Sequence, residues 1–267
     1  MLTWIVQPDV FTEDQQKESH LVLKELGEPT LIVEPYLKEP KVPFTDIIFR
    51  GSFGLMSWFN SESARKLGKH LINQAYWEPF SFSKLPTYFE HTLNPDIQWL
   101  PLNAVPSTMS DNHTLFVRPD SGKKLFSGQL FTKKKLETEI AYLVQRNADT
   151  TALVAVAQPK ELLKEARFVV VGRKIVGYSL YSDRGDITFL GEVPEDLIKF
   201  ANACMTENAF PEPHFVLDAV QTPNGCRVVE VNAIETSSYY NSDRKAIFSK
   251  LASEYGCGNT SGLLLQP

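Results

Sequence analysis

The chain has 267 residues, of which 43% are apolar, so it can form one large or two modest domains with a sizeable core. A net charge of -5 and a pI near 5.6 argue against general nucleic-acid binding, because proteins with that function are usually basic. Three scattered cysteines, the lack of a signal-peptide pattern at the start and the lack of an apolar run near the ~20 residues that span a bilayer predict a cytoplasmic protein without membrane contact.

The first hundred residues alternate between strand and helix patterns. Strands are predicted at residues 3–6, 30–33 and 46–49, and helices at residues 12–26 and 61–75. This alternation implies a small parallel sheet, and α/β sheets commonly bind ligands at the ends of their strands. Arg50 directly follows the third strand, so it is a candidate contact for an anionic substrate group; a surface ion pair is the alternative.

Residues 76–105 are rich in proline and aromatic residues and show no regular period. We interpret them as an irregular connection whose aromatic side chains pack between two domains; a substrate-binding wall is the alternative. The predicted boundary lies at Pro106. It gives an N-terminal domain of residues 1–105 and a second domain of residues 106–267.

A short apolar strand at residues 115–119 contains Arg118, and a flexible basic turn at residues 120–124 follows it. A buried arginine needs a partner, and a phosphate group suits the forked guanidinium. The turn has the composition to close over phosphates, although a purely structural role for this strand and turn is the alternative. A helix is predicted next, at residues 132–147.

The second half of the chain continues with strands and two more helices. Strands are predicted at residues 153–157, 168–171 and 175–181, the last two joined by a two-residue turn at Gly172 and Arg173. Helices are predicted at residues 194–205 and from Ser242 or Asp243 to residue 255.

A second hairpin, between residues 215 and 234, carries the strongest chemical signal. A three-residue loop at 223–225 would place Asp218 opposite Glu230, and strand alternation puts Asn232 on the face of Glu230. Two facing carboxylates repel each other and destabilise a hairpin unless a cation lies between them. Two carboxylates and an amide oxygen suit Mg²⁺, so a magnesium site is predicted here; solvated acids are the alternative.

Four segments, in this order, resemble the ATP-grasp superfamily. Residues 116–122 (FVRPDSG) resemble the strand and glycine-rich flap over the ATP phosphates, and residues 154–160 resemble the strand that receives adenine. Residues 165–177 resemble the family's Glu-x-Arg strand and hairpin. Asp218 together with residues 230–232 (EVN) resembles its magnesium-binding acids and amide.

The resemblance implies an α/β fold, with a small Rossmann-like domain before an ATP-grasp domain of two subdomains. The flap subdomain would be residues 106–157, and the metal- and nucleotide-binding subdomain would be residues 158–267. Arg118 stands where the family usually has lysine, and lysines replace some flap glycines. These departures resemble a divergent clade of phage and bacterial ATP-grasp proteins, which includes the eukaryotic chaperone that assembles a heterotrimeric translation initiation factor.

The resemblance implies binding of ATP and of one or two Mg²⁺ ions. Asp218, Glu230 and Asn232 would hold the metal, while Arg118 and Lys160 would hold the α- and β-phosphates. The other implied ATP contacts are the backbone of Ala155, Val156 and Ala157 around adenine, Glu165 beside the nucleotide, and Gly122 and Lys123 of the flap. Flap closure would depend on Gly122, Ser127 and Gly128.

Two arginines are the implied catalytic residues. Arg167 would stabilise charge on the transferring phosphoryl group, oriented by Glu165, and Arg118 would assist from the flap. A cross-strand ion pair is the alternative for Arg167 and Glu165. The candidate substrate contacts are Arg50, Ser237 and Ser238. Four tyrosines are predicted to pack rather than to take part in chemistry: Tyr178, Tyr181, Tyr239 and Tyr240.

The resemblance therefore predicts an ATP- and magnesium-dependent carboxylate–amine ligase. The carboxylate of a peptide, an amino acid or a protein terminus would attack the γ-phosphate and release ADP, and an amine would then displace phosphate from the acyl phosphate. The alternatives are a non-catalytic ATP-binding assembly chaperone and a kinase or nucleic-acid ligase with the same ATP site.

Overall fold

The computed structural model describes residues 3–7, 13–34, 46–68, 70–71, 83, 91–120, 125–189, 191–206 and 212–256. Within these ranges the strands form two sheets of four strands and one of five. The α/β fold class predicted from the sequence is confirmed. No helix in the described ranges has the length and the apolar character needed to cross a membrane.

The N-terminal sheet is parallel and has the order β2-β1-β3-β4. Its elements are β1 (Thr3–Val6), α1 (Glu13–Glu25), β2 (Thr30–Ile32), β3 (Asp46–Arg50), α2 (Phe53–Phe59), α3 (Glu62–Lys66) and β4 (His70–Leu71). Ile5, Ile47 and Phe49 of the sheet pack on Leu55 and Met56 of α2. Continuous apolar strands of this kind are typical of parallel sheets, which are covered on both faces.

The single helix predicted at residues 61–75 is wrong. Two short helices occupy this region instead, because the hydroxyl oxygens of Ser52 and Ser61 accept hydrogen bonds from backbone N–H groups three residues later and start α2 and α3. Gly68, with a φ of +69°, follows the end of α3. Leu67, predicted to face inward, is 64% exposed. Residues 72–75 lie outside the described part of the chain.

The second sheet, called the flap sheet below, is antiparallel and has the order β5-β8-β6-β7. Its elements are β5 (Gln98–Pro101), a 3₁₀ helix (Leu102–Thr108), β6 (Thr114–Pro119), β7 (Gln129–Thr132), α4 (Lys133–Gln145) and β8 (Leu153–Ala157). The sequence analysis did not predict β5 or β7. Because β5 pairs with β8, we propose that the second domain begins before the predicted boundary at Pro106.

The third sheet, called the C-terminal sheet, is antiparallel and has the order β11-β10-β9-β12-β13. Its elements are β9 (Lys164–Val171), β10 (Lys174–Asp183), β11 (Asp186–Ile187), α5 (Glu195–Thr206), β12 (Phe215–Thr222), β13 (Gly225–Asn232) and α6 (Arg244–Gly256). Leu197 of α5 lies in one core cluster, and Phe248 of α6 lies in another, which also includes Trp4 of the N-terminal sheet. Helix α6 therefore joins the N-terminal sheet to the C-terminal sheet.

The β12–β13 hairpin places Asp218 opposite Glu230, as predicted, but by a different route. Thr222 pairs with Gly225, so the loop has two residues rather than three. A register shift between Asp218 and Ala219 adds the missing residue on β13 and restores the pairing with Glu230. Gly225, with a φ of +97°, is left-handed as predicted.

Candidate active site

A cavity of about 600 Å³ lies between the flap sheet and the C-terminal sheet. Phe116 and Arg118 of β6 form part of one wall, and Val229 and Glu230 of β13 form part of the opposite wall. The other residues that line it include Leu93, Asn94, Phe126, Gly128, Leu130, Gln158, Lys160, Leu162 and Glu165. The cavity is therefore apolar along part of its wall and charged along the rest.

Arg118 and Glu230 meet between the two sheets. Arg118 Nη2 donates a hydrogen bond of 2.6 Å to Glu230 Oε2, and the two side chains are only 17% and 15% exposed. Asn232 Nδ2 donates to the other carboxylate oxygen of Glu230 at 2.9 Å. A predicted phosphate-binding arginine and a predicted metal ligand thus neutralise each other.

Asp218 and Arg167 form a second, more deeply buried ion pair. Arg167 donates to both carboxylate oxygens of Asp218, from Nε at 2.8 Å and from Nη2 at 2.7 Å. Burial raises the pKa of Asp218 to about 6, although Arg167 opposes this rise. Burial alone would lower the pKa of Arg167, but the charge and hydrogen bonds of Asp218 outweigh it and raise that pKa. The pair stays ionised in both members because each charge compensates the other.

The strand register explains why these charges form a row. Asp218 lies on β12, between Arg167 of β9 and Glu230 of β13, and is paired with both. Directly opposed residues of neighbouring strands have side chains on the same face of a sheet. Arg167 Nη2 lies 3.9 Å from Glu230 Oε1, so the row is continuous from β9 to β13.

The remaining predicted nucleotide contacts lie around the same cavity. Lys160 forms an ion pair of 3.5 Å with Asp96, and Glu165 accepts a hydrogen bond of 3.0 Å from the Tyr181 hydroxyl. Ala155, Val156 and Ala157 form the buried end of β8 and pair with β6 at Arg118, Val117 and Phe116. Gly122 and Lys123 lie outside the described residues.

Two tyrosines that the sequence placed in packing roles pack against the charged row. The Arg167 guanidinium carbon lies 4.6 Å from the ring centroid of Tyr240 and 5.9 Å from that of Tyr181. The Tyr240 ring also stacks on Phe189 at 5.1 Å. Tyr240 has a φ of +48°, which is unusual for a residue other than glycine. Sequence patterns gave no signal for this contact, because it depends on a loop conformation.

The three predicted substrate contacts lie on the buried side of the loop after β13. Arg50 is 3% exposed and donates to the backbone oxygens of Ile234 and Ser237, with its guanidinium 3.7 Å from the ring centroid of Tyr239. The Ser237 hydroxyl donates to the backbone oxygen of Ala233, and the backbone oxygen of Ser238 accepts from Arg167. Substrate contacts here stay predictions, and the burial of Arg50 favours a role in joining β3 to this loop.

A family model for an ATP-grasp domain, the third family of its clade, matches residues 26–251. The chain belongs to this ATP-grasp family. The predicted superfamily and its divergent clade are thereby confirmed. No curated protein matches the sequence significantly.

Solved structures share the ATP-grasp fold at low sequence identity. The D-cycloserine synthetase DcsG matches with a TM-score of 0.65 and 14% identity, over 96% of this chain and 100% of DcsG. The ATP-grasp ligase PsnB complexed with minimal precursor, Mg and ADP has a TM-score of 0.56 and 12% identity, over 96% and 98% of the two chains. The D-alanine–D-alanine ligase of Bacillus anthracis has a TM-score of 0.56 and 12% identity, over 95% and 91%. By family and fold the chain is an ATP-grasp ligase, and this fold implies ATP binding.

The charged row of this ATP-grasp site fits magnesium only together with other ligands. Within the described ranges, no three His, Cys, Asp or Glu side chains cluster as a metal site. Asp218, Glu230 and Asn232 offer carboxylate and amide oxygens, which are the donors that Mg²⁺ prefers, and Mg²⁺ usually completes its shell with phosphates and water. The residues therefore fit a magnesium ion that is bound with a nucleotide, with Glu230 turned away from Arg118.

Gly128 leaves the space that the Arg118 side chain occupies. A Cβ atom at residue 128 would lie 2.7 Å from Arg118 Cβ and 3.2 Å from Phe116 Cζ. We expect Gly128→Ala to displace Arg118 and to weaken ATP binding about tenfold or more, as the loss of one charge-assisted hydrogen bond would. Isothermal titration measures the affinity.

The matched control for this substitution is Gly54→Ala in α2. A Cβ atom there would meet nothing closer than Ser52 Oγ at 3.9 Å, so ATP affinity is expected to stay unchanged. Equal ATP affinities for the two variants would contradict the assignment of Arg118 to the nucleotide.

Proposed function

We propose that this ATP-grasp protein is an ADP-forming carboxylate–amine ligase that uses ATP and Mg²⁺ and acts on a peptide, an amino acid or a protein terminus. The observation that supports this most directly is the contact of Arg118 with Glu230 at 2.6 Å beside the cavity. One side chain carries the charge that phosphates require, and the other carries the charge that a metal ion requires. Both lie next to the Arg167–Asp218 pair.

The pairing makes ATP and magnesium depend on each other. If Arg118 turned to phosphate alone, the carboxylate of Glu230 would remain largely buried without its cation. If magnesium bound Glu230 alone, the guanidinium of Arg118 would lose its partner. Uncompensated buried charges are costly, so joint binding, in which each charge gains a new partner, is the favourable route.

Each proposed residue then has a role that its position supports. Arg118 and Lys160 hold the phosphates from two sides of the cavity, while Glu230, Asn232 and Asp218 hold magnesium, which neutralises phosphate charge when bound. Arg167 keeps Asp218 in place and lies near enough to Glu230 to stabilise negative charge during transfer.

The proposed reaction is balanced without a further reactant. A substrate carboxylate oxygen attacks the γ-phosphorus, and the bond to the ADP oxygen breaks. The amine then attacks the acyl carbon, phosphate leaves, and the amine loses its proton. The products are an amide or peptide bond, ADP and phosphate. The names of the matched proteins, a D-cycloserine synthetase, a ligase complexed with its precursor and a D-alanine–D-alanine ligase, support amino acids and peptides as the substrate class.

ATP is expected to raise the melting temperature by roughly 5–10 °C at saturating concentration, and only when Mg²⁺ is present. Glu230→Gln should remove this increase, because it removes the charge that magnesium binds. Glu195→Gln is the control, since Glu195 is 78% exposed and lies on α5, outside the cavity lining. Differential scanning fluorimetry measures the effect, and an increase with ATP alone would contradict the proposed metal site.

ADP release separates a ligase from an assembly chaperone. We expect ADP to form only when a carboxylate substrate is present, and an amide product to appear only when an amine is added as well. Mass spectrometry of mixtures with amino acids and short peptides identifies the product. ATP binding without ADP release for any such pair would contradict the ligase and favour the chaperone.

A further inference from the structure

Asn94 is a buried amide at the wall of the ATP cavity that none of the proposed roles uses. Its side chain is 5% exposed and belongs to the cavity lining. Its Oδ1 atom has no hydrogen-bond partner. Leaving a buried polar group without a partner costs stability, so such a group in a binding cavity points to a partner that arrives with the ligand.

The segment that carries Asn94 is held in place on both sides. The Leu93 backbone N–H donates to the Val228 oxygen at 2.8 Å, and the Val228 N–H donates to the His91 oxygen at 2.8 Å. Further along, Asp96 pairs with Lys160 at 3.5 Å. Asn94 therefore lies in a fixed position between β13 and the residues after β8, and it can act as a preformed contact.

The chemistry of ATP restricts which of its groups can satisfy an amide oxygen. The phosphate oxygens accept hydrogen bonds and carry negative charge, so they cannot donate to Asn94. The N–H and O–H donors of ATP belong to the adenine amino group and to the ribose hydroxyls. The unpaired oxygen of Asn94 is thus complementary to the nucleoside and not to the triphosphate.

Adenine fits this position better than the ribose does. An asparagine side chain presents an acceptor and a donor next to each other, and adenine presents its amino group beside a ring nitrogen, so the two can form a pair of hydrogen bonds. Leu93, Phe116, Leu130 and Leu162 of the same cavity provide apolar surface for a flat base.

We propose that Asn94 is the residue that selects adenine in this active site. It rests on the proposed function, because it assumes that the cavity binds ATP. Inosine triphosphate is the decisive probe, because it carries an oxygen acceptor where adenine has its amino group. The wild-type protein should bind ATP more tightly than inosine triphosphate, with Asn94 responsible for most of the difference.

Asn94→Leu tests the proposal with the full chain and Mg²⁺. We expect the affinity for ATP to fall by on the order of ten- to hundredfold, with little change for inosine triphosphate. The melting temperature of the ligand-free variant should not fall, because an unpaired buried amide is replaced by an apolar group of similar size. A residue with a structural role would behave in the opposite way, with a lower melting temperature and unchanged nucleotide preference.

Two further variants keep the test decisive. Asn94→Ala should show the same loss of preference without any added bulk in the cavity. Asn103→Ala is its control, because Asn103 is exposed on the 3₁₀ helix. A variant at Asn94 that distinguishes ATP from inosine triphosphate as well as the wild-type protein overturns the proposal. Loss of discrimination against deoxyribose analogues of ATP, with base preference retained, assigns Asn94 to the ribose and also overturns it. If wild-type protein binds no ATP, the proposed function itself is wrong.

Discussion

Replacement of Arg167 by methionine is expected to lower the free energy of unfolding by about 3–5 kcal/mol, the usual cost of breaking a buried ion pair from one side. The Asp218 side chain is 1% exposed, so its carboxylate would remain buried without its two hydrogen bonds from Arg167. Urea unfolding followed by circular dichroism measures the change. The variant should also lose ligase activity, because Arg167 fixes the position of Asp218.

The double variant Arg167→Met/Asp218→Leu separates the charge effect from loss of packing. With both charges removed, no uncompensated group remains, and most of the lost stability should return while activity stays absent. The exposed pair Glu195–Lys199 is the control, since its single variants should change stability by no more than about 0.5 kcal/mol. A loss below about 1 kcal/mol for Arg167→Met would show that the pair is not a buried structural unit.

The alternation of side chains along the β12–β13 hairpin predicted the core of this site. Asp218, Glu230 and Asn232 were expected together because residues two apart on a strand share a face, and opposed residues on a hairpin are neighbours. That relation is local and survived an error in the loop length, since a bulge corrected the register. The family resemblance added Arg118, which the structure places against Glu230.

The partner of Arg167 could not be predicted in the same way. The alternative considered from the sequence was an ion pair with Glu165, but both residues lie on β9, and Arg167 instead pairs with Asp218 on β12. Strands β9 and β12 are separated in the chain by β10, β11 and α5. Their register is set by the packing of the whole sheet, which no short sequence pattern records.

Contacts formed by irregular segments were also beyond the sequence. Asn94 lies in a stretch interpreted only as an irregular aromatic connection, and its importance depends on the pairing of residues 91–93 with Val228. Tyr240 reaches Arg167 from a loop residue with positive φ. In both cases the chain path, and not the residue type, decides which side chain meets the site.

Glu235 is expected to make the protein less stable as the pH rises. The side chain is 4% exposed, and its Oε2 atom has no hydrogen-bond partner. Burial raises the pKa of this carboxyl from 4.5 to about 8, although the nearby Arg50 opposes the rise. The folded protein thus keeps a proton that the unfolded chain releases, so the stability from this group is complete below about pH 4.5 and falls as the pH approaches about 8.

The difference between these pKa values corresponds to roughly 5 kcal/mol between mildly acidic and alkaline pH. Glu235→Gln should remove most of this dependence, because the amide stays neutral, and the variant should exceed wild-type stability at pH 9. Urea unfolding at pH 5, 7 and 9 measures it, with Glu195→Gln as the exposed control. Parallel profiles for wild type and Glu235→Gln would show that Glu235 is ionised in the folded state at neutral pH. In that case its charge would have to be balanced by Arg50, and the junction between β3 and the loop after β13 would be a buried ion pair instead of a neutral carboxyl beside a guanidinium.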